Sequence, residues 1–133
     1  MKYLLDTNVC VDYLNGRFAA VVDRVRRSSP EDLCVSSVVA AELRYGADKS
    51  TRRRQNHARL DVLLGEIPVV DFDARAASVY GKLRTELERA GVVIGPNDML
   101  IGAHSLSLGL VLVTDNTREF KRLKGLRVEN WRA

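Results

Sequence analysis

Four acidic residues of this 133-residue chain lie where an apolar run gives way to a helical pattern. Asp6 directly follows the first apolar run, and Asp115 comes two residues after the most strand-like run of the chain. Glu42 lies inside the apolar stretch "VVAAELRYG", and Asp98 follows "GPN" at the start of another helical pattern. Carboxylates that lie close together repel each other and raise each other's pKa unless a cation is present. Because hard oxygen ligands suit Mg²⁺ or Mn²⁺, the pattern predicts a divalent-cation site if the fold brings these acids together.

Each of these acids also has a purely structural interpretation. Asp6 and Asp98 are well placed to cap helices, since a carboxylate at a helix N-terminus accepts backbone N–H groups and matches the helix dipole. Glu42 is costly to bury without a partner, so a solvent-facing position on its helix is the simpler interpretation. Taken singly, the residues leave capping and cation binding open, and only their common placement favours the cation site.

The acids can meet only if the apolar runs form one sheet. Predicted strands occupy 2–5, 33–35, 67–70 and 110–113, with 127–130 as a further edge strand. Predicted helices occupy 7–14, 18–27, the segment after Ser36-Ser37, 50–64, 74–90 and 98–108. Apolar strands that do not alternate with polar residues and are separated by helices are typical of a parallel sheet covered on both faces, so we expect a three-layer α/β fold. The binding crevice of such a sheet lies at the carboxyl ends of its strands, where all four acids are predicted.

The composition is that of an ordinary globular protein, with 46% hydrophobic and 29% charged residues, and the length indicates one domain over 1–133. No apolar stretch approaches the ~18 residues of a membrane span, and the N-terminus lacks a signal-peptide pattern, so we expect a cytoplasmic protein. The net charge of +4 is only weak support for an anionic partner.

Other catalytic chemistries find little support in the sequence. The two histidines, His57 and His104, have no plausible serine or cysteine partner for a nucleophilic triad, and we expect His57 to be exposed and His104 to pack or form a hydrogen bond. Cys10 and Cys34 lie in apolar runs, which favours buried free thiols. There is no glycine-rich phosphate loop.

Three segments together resemble the VapC toxins of the PIN-domain ribonuclease family. They are "LLDTNVCVDYL", "AELRYGA" and "IGPNDMLIGAHSLSLGLVLVTDNTREFKRLKGLRVENW". The resemblance runs nearly end to end, and the region 50–90 is its least distinctive part. It implies the PIN α/β/α sandwich with a central parallel sheet and Mg²⁺- or Mn²⁺-dependent endonucleolytic cleavage of RNA. It also implies a cognate VapB-type antitoxin and a homodimer.

The resemblance assigns roles to individual residues. The acidic set is Asp6, Glu42, Asp98 and Asp115, with Asp6 and Asp98 as metal ligands and Thr7, Asn8 and Asn116 as supporting residues. Relatives often carry asparagine or another polar residue where this chain has Asp115. The fourth ligand therefore stays open between Asp115, Asn116 and Glu119.

The implied reaction is hydrolysis by a metal-activated water that attacks the scissile phosphate in line. Because this route does not use the RNA 2′-hydroxyl, products should carry 5′-phosphate and 3′-hydroxyl ends. The expected substrate is a structured RNA, with tRNA as one candidate. Arg118, Lys121 and Arg122 adjoin Asp115 and are expected to contact RNA phosphates. The basic group at 49–59 leaves RNA contact and a solvated helix face open.

Two other classes of protein compete with this hypothesis. A receiver domain also has acids at strand ends, but it needs an adjacent acidic pair after the first strand and a lysine after the last one. This chain has Asp6-Thr7-Asn8 and no lysine at the end of 110–113. A non-catalytic binding relative is disfavoured because all four acids are retained. The apolar faces of 50–64 and 74–90 either cover the sheet or form the dimer contact, and the resemblance favours the dimer.

Overall fold

The computed structural model describes residues 1–132 and has the expected three-layer α/β architecture. Five parallel strands form the central sheet in the order β3-β2-β1-β4-β5. Their bounds are Tyr3–Leu5 (β1), Leu33–Ser36 (β2), Val69–Val70 (β3), Val111–Val113 (β4) and Val128–Glu129 (β5). The predicted fold class is confirmed.

The first strand is the centre of the sheet. Tyr3 of β1 pairs with Leu33 on one side and with Val111 on the other, and Leu5 pairs with Val113. All connections between strands are crossovers, since every pairing is parallel. The carboxyl ends of all five strands therefore lie at one edge, which is where a parallel sheet places its binding crevice.

Seven α-helices surround the sheet within residues 1–132. They are Thr7–Leu14 (α1), Ala19–Arg27 (α2), Ser37–Lys49 (α3), Arg53–Glu66 (α4), Ala74–Arg89 (α5), Pro96–Leu108 (α6) and Thr117–Phe120 (α7). A short 3₁₀ turn, Pro30–Asp32, precedes β2. The predicted caps are present: Ser36 Oγ accepts from the Val38 amide at 3.1 Å, and Asp73 Oδ1 accepts from the Ala76 amide at 3.0 Å. Gly109 ends α6 in the left-handed region at φ 69°, where glycine is favoured.

The predicted helix 50–64 is Arg53–Glu66 in the structure, and two further predicted boundaries differ for clear reasons. The sixth helix begins at Pro96, because proline at the first helical position lacks only an amide that would be unpaired there. Asp98 is therefore the third residue of α6 and does not open it. The third strand is reduced to Val69–Val70, because α4 extends through Glu66 and Ile67 ends it.

The interior consists of strand residues and the inward faces of the helices. Leu60 and Leu63 of α4 and Leu83 and Leu87 of α5 are buried within this single chain, so much of the apolar surface predicted on these helices is used in the fold. Both cysteines are buried and free, as predicted. No helix within residues 1–132 combines the length and apolarity needed to cross a membrane.

Candidate active site

Asp6 is held at the carboxyl end of the central strand. Its Oδ1 accepts from the Thr7 amide at 2.8 Å, so it caps α1, and its Oδ2 accepts from Thr114 Oγ1 at 2.7 Å. The carboxylate is 5% exposed. Burial raises its pKa, the bonds from Thr114 and Thr7 oppose that rise, and the charges of Glu42 and Asp115 add to it. Asp6 is thus a helix cap and also a member of a group of interacting carboxylates.

Glu42 bridges three elements near Asp6. Its Oε1 accepts from Thr7 Oγ1 at 2.5 Å, and its Oε2 accepts from Asn97 Nδ2 at 3.2 Å. Glu42 therefore faces α1 and the start of α6 from its place on α3. Glu42 is half-buried, and both of its carboxylate oxygens accept hydrogen bonds, so it is more than a residue on the solvent-facing side of its helix.

Asp98 and Glu119 share one amide donor. Asn116 Nδ2 lies 3.3 Å from Asp98 Oδ2 and 2.6 Å from Glu119 Oε2. The backbone amide of Asn116 donates to Thr114 Oγ1 at 3.0 Å, which links this pair to Asp6. Burial, with the charges of Asp6, Glu119 and Glu42, raises the pKa of Asp98 from 3.8 to about 6, against the bond from Asn116.

Asp115 has different surroundings from the other acids. Its Oδ1 accepts from Asn8 Nδ2 at 3.3 Å, and its Oδ2 accepts from Arg132 Nη1 at 3.1 Å. Its charge acts on Asp6 and is also paired with a guanidinium. The structure therefore brings all four predicted acids to one edge, with Glu119 beside Asp98 and Asp115 beside an arginine.

The donor set fits a hard divalent cation. Within residues 1–132, no group of three or more acidic, histidine or cysteine side chains is gathered as a ready-made metal cluster. Mg²⁺ does not require one, because it keeps several waters and is commonly bound by one or two carboxylates. Asp6 and Asp98 are the carboxylates whose pKa the neighbouring charges raise, and a cation between such groups would relieve their repulsion.

Comparisons with known proteins agree with this architecture. The family model described as "PIN domain" matches residues 3–126. The chain belongs to the PIN-domain family. It is 42% identical over 132 residues to a Rickettsia felis protein named "Ribonuclease VapC2", and 43% identical over 131 residues to a Shigella flexneri protein named "tRNA(fMet)-specific endonuclease VapC". In both comparisons the match covers 98% of each chain. The resemblance to VapC proteins is confirmed.

Solved structures of this PIN-domain group have the same fold. The crystal structure of VapBC2 from Rickettsia felis, bound to a DNA fragment from the promoter, contains a chain with a TM-score of 0.91 and 41% identity. The alignment covers 98% of this chain and 99% of that one. The sandwich predicted from the sequence is thus shared along nearly the whole length.

The predicted RNA-contact residues of the PIN domain lie on α7 and the turn that follows it. Arg118, Lys121 and Arg122 are all exposed, and the Arg122 guanidinium donates to the Val93 carbonyl at 3.2 Å. They adjoin Asp115 along the chain, as predicted. Their role in binding RNA stays a prediction.

The two histidines of the PIN domain lie outside the acidic group. His104 is buried, and its Nδ1 lies 2.8 Å from Ser36 Oγ, as expected of a packed and hydrogen-bonded residue. The prediction that His57 is exposed is wrong. Its side chain is half-buried and reaches from α4 to α3, with Nε2 2.8 Å from Asp48 Oδ1 and Nδ1 3.0 Å from Arg44 Nη1.

Sequence reasoning missed three residues that organise the site. Thr114 donates to Asp6, Asn97 donates to Glu42, and Arg132 donates to Asp115. Thr114 could have been predicted as a site residue because it is a polar residue directly after an apolar strand. Asn97 could have been predicted because it directly precedes Asp98. No local pattern marks Arg132.

The raised pKa of Asp98 predicts how the stability of the metal-free PIN domain depends on pH. Between about pH 4 and 6 the folded state holds a proton on Asp98 that the unfolded state has released, so this group makes the fold less stable as the pH rises. Asp98→Asn should therefore gain stability relative to the wild type across this window. The difference is measured as the urea concentration at the midpoint of unfolding, from pH 4 to 7, with a chelator present to remove metal. The control variant is Asp23→Asn, at an exposed position. A difference that stays constant with pH would contradict the prediction.

Proposed function

We propose that this PIN domain is the toxin component of a type II toxin-antitoxin system and cleaves structured RNA in a Mg²⁺- or Mn²⁺-dependent reaction. The observation that carries the proposal is the group of interacting carboxylates around Asp6 and Asp98 at the carboxyl edge of the sheet. The printed names of relatives, one a ribonuclease and one a tRNA(fMet)-specific endonuclease, support an RNA substrate and make tRNA the first candidate. The reaction would take place in the cytoplasm.

Asp6 and Asp98 would hold the cation, which when bound supplies an activated water and stabilises the leaving 3′-oxygen. Thr7 and Thr114 orient Asp6, and Asn116 orients Asp98, so neither carboxylate has to reorganise when it binds. Two hydrogen-bond donors fix the Glu42 carboxylate near Asp6. This carboxylate can orient a water molecule by accepting a hydrogen bond from it.

The exposed cations beside this edge would bind the RNA. Arg118, Lys121 and Arg122 project from α7 and its following turn, immediately after Asp115 and Asn116 along the chain. Contacts of this kind neutralise phosphates and position the RNA without reading its sequence. Structured RNA is recognised through its shape and its exposed loop bases, which suits a rim of cations around an acidic crevice.

Cleavage of tRNA by the purified protein tests the proposed function. With Mg²⁺ or Mn²⁺ we expect discrete fragments with 5′-phosphate and 3′-hydroxyl ends, because the attacking group is water and the 2′-hydroxyl takes no part. Excess EDTA should stop the reaction. Cleavage-end sequencing of cellular RNA after induction would identify the target. Fragments with 2′,3′-cyclic phosphate ends, or cleavage that continues in EDTA, would contradict the proposal.

The partner of this toxin would be a VapB-type antitoxin that enters the acidic crevice. An arginine from the partner can take the place of the cation and form charge-assisted hydrogen bonds with the carboxylates. Co-expression of the antitoxin should then relieve growth arrest. An antitoxin that inhibits with no basic residue in the segment that reaches the crevice would refute this form of inhibition.

The protein is also expected to form a homodimer. Leu60, Leu63, Leu83 and Leu87 are buried within one chain, but Val62 of α4 is 63% exposed and Val93, in the loop after α5, is 83% exposed, which leaves apolar surface for a two-fold contact. Light scattering at micromolar concentration should report about twice the chain mass of 14.9 kDa. A monomer that cleaves structured RNA at full rate would show that catalysis does not depend on pairing.

A further inference from the structure

The segment that follows β5 is fixed against the sheet and returns to the site. Trp131 is buried with its ring 5.1 Å from that of Tyr3, and its Nε1 donates to Glu129 Oε1 at 2.9 Å. Arg24 lies over the same indole ring at 4.5 Å. Since β5 is parallel to β4, this segment emerges at the edge where the acids lie, and it delivers Arg132 there.

Arg132 is held by a buried carboxylate on α1. Its Nε and Nη2 donate to Asp12 at 2.8 and 3.2 Å, and Asp12 is only 2% exposed. The guanidinium also lies over the ring of Phe18, 4.3 Å from its centroid. Phe18 has φ 57°, an unusual conformation for an aromatic residue. The guanidinium is thereby fixed in position and orientation.

The third nitrogen of the Arg132 guanidinium, Nη1, is directed at the site. Arg132 Nη1 donates to Asp115 Oδ2 at 3.1 Å, and Asn8 Nδ2 holds the other Asp115 oxygen. Asp115 is thus fixed from two sides. A metal ion at Asp115 would lie beside the positive charge of Arg132, which disfavours Asp115 as a metal ligand.

The charge of Arg132 also argues against a direct role in RNA binding. One guanidinium here faces two carboxylates, so the group formed by Asp12, Arg132 and Asp115 carries a net charge of −1. Such a group repels phosphate. Across the described part of the chain, the exposed cations Arg118, Lys121 and Arg122 have no such pairing with two acids, and they are better suited to that task.

We infer that Arg132 is a positioning residue that, anchored by Asp12, fixes Asp115 at the rim of the site and keeps it from serving as a third metal ligand beside Asp6 and Asp98. The inference rests on the proposed function for its catalytic consequence. It answers the open question of the fourth acid: Asp115 acts through its position beside Asn8 and Arg132, while Glu119 is the acid that joins Asp98.

The test compares Asp115→Asn, Arg132→Lys and the double variant, with Arg89→Lys at the exposed end of α5 as the matched control. Lysine keeps the charge beside Asp12 but cannot donate to two carboxylates in the planar geometry of arginine. We expect each single variant to lower kcat by about tenfold or more, as for the loss of an outer partner of a metal site, and we expect Arg132→Lys, which keeps the charge, to leave KM unchanged. The double variant should lose no more than about twofold beyond Asp115→Asn, because Arg132 acts through Asp115. Multiplied losses in the double variant, together with a raised KM in Arg132→Lys, would overturn the inference and make Arg132 an RNA contact.

Two further measurements do not depend on RNA cleavage. Calorimetry with Mn²⁺ should give affinities within about threefold of the wild type for Asp115→Asn and Arg132→Lys, but more than tenfold weaker for Asp98→Asn. The side-chain amide signals of Asn8 in NMR spectra should move in Arg132→Lys as they do in Asp115→Asn. A tenfold loss of Mn²⁺ affinity in Asp115→Asn, or an unchanged Asn8 signal in Arg132→Lys, would overturn the inference. A wild type that cleaves no RNA would refute the proposed function alone, since these two measurements would still decide the position of Arg132.

Discussion

Asp6→Asn is expected to lower metal-dependent RNA cleavage by more than about 100-fold while the fold stays intact. Loss of an outer partner of a metal ligand already costs about 10- to 100-fold, and Asp6 is proposed as a ligand itself. The carboxylate also lies at the centre of the site, since it interacts with Glu42, Asp98 and Asp115. Initial rates with tRNA and Mg²⁺ measure the effect.

The melting temperature decides whether such a loss is chemical or structural. Asparagine removes a buried charge and its repulsion with neighbouring acids, and its amide can still face the Thr7 amide and the Thr114 hydroxyl. We therefore expect a change of a few degrees at most in the absence of metal. Asp23→Asn, on the exposed face of α2, is the control and should keep full activity. Activity of Asp6→Asn within tenfold of the wild type would contradict the assignment, and a collapse of the fold would favour a purely capping role for Asp6.

Arg132→Ala is expected to destabilise the protein by about 3 kcal/mol, which corresponds to roughly 10 °C in melting temperature for a chain of this size. The reason is that Asp12, 2% exposed, would be left as a buried carboxylate without its two hydrogen bonds from the guanidinium. Removing one partner of a buried pair typically costs about 3–5 kcal/mol, and the lower end applies because Arg132 is 29% exposed.

The double variant D12N/R132M separates this cause from a general loss of packing. It removes both charges together and leaves side chains of similar size, so it should lose less than half as much stability as Arg132→Ala. Chemical unfolding at neutral pH measures both changes. Equal losses in the two variants would show that packing on Phe18, and not the unpaired Asp12, explains the effect.

The parts of this molecule that depend on local pattern were predictable from its sequence. The helix Thr7–Leu14 was predicted with its observed bounds, because an aspartate between an apolar strand and an apolar helix marks both the end of one element and the cap of the next. Asp98 was placed correctly at the start of a helix, although Pro96 moves that start two residues earlier.

The partners of the acids were not predictable, because they come from distant parts of the chain. Asp12 and Arg132 are 120 positions apart, and their contact depends on the path of the segment after β5. The different roles of Asp115 and Glu119 likewise depend on their partners, because Arg132 donates to Asp115 and Asn116 donates to Glu119. A sequence pattern identifies the acids at the edge of the sheet, but the hydrogen bonds that divide them into groups require the folded structure.

The central position of β1 has a consequence for synthesis of the protein on the ribosome. Asp6 takes its bond from Thr114, 108 positions later, and β1 lacks its neighbour on one side until β4 has been made. A nascent chain that has passed Asp98 therefore carries three of the four acids without the strand that completes their site. Contacts of such long sequence separation also slow folding, because the entropy lost on closing the long loop opposes them. The acidic site is thus assembled only after almost the whole domain has emerged from the ribosome.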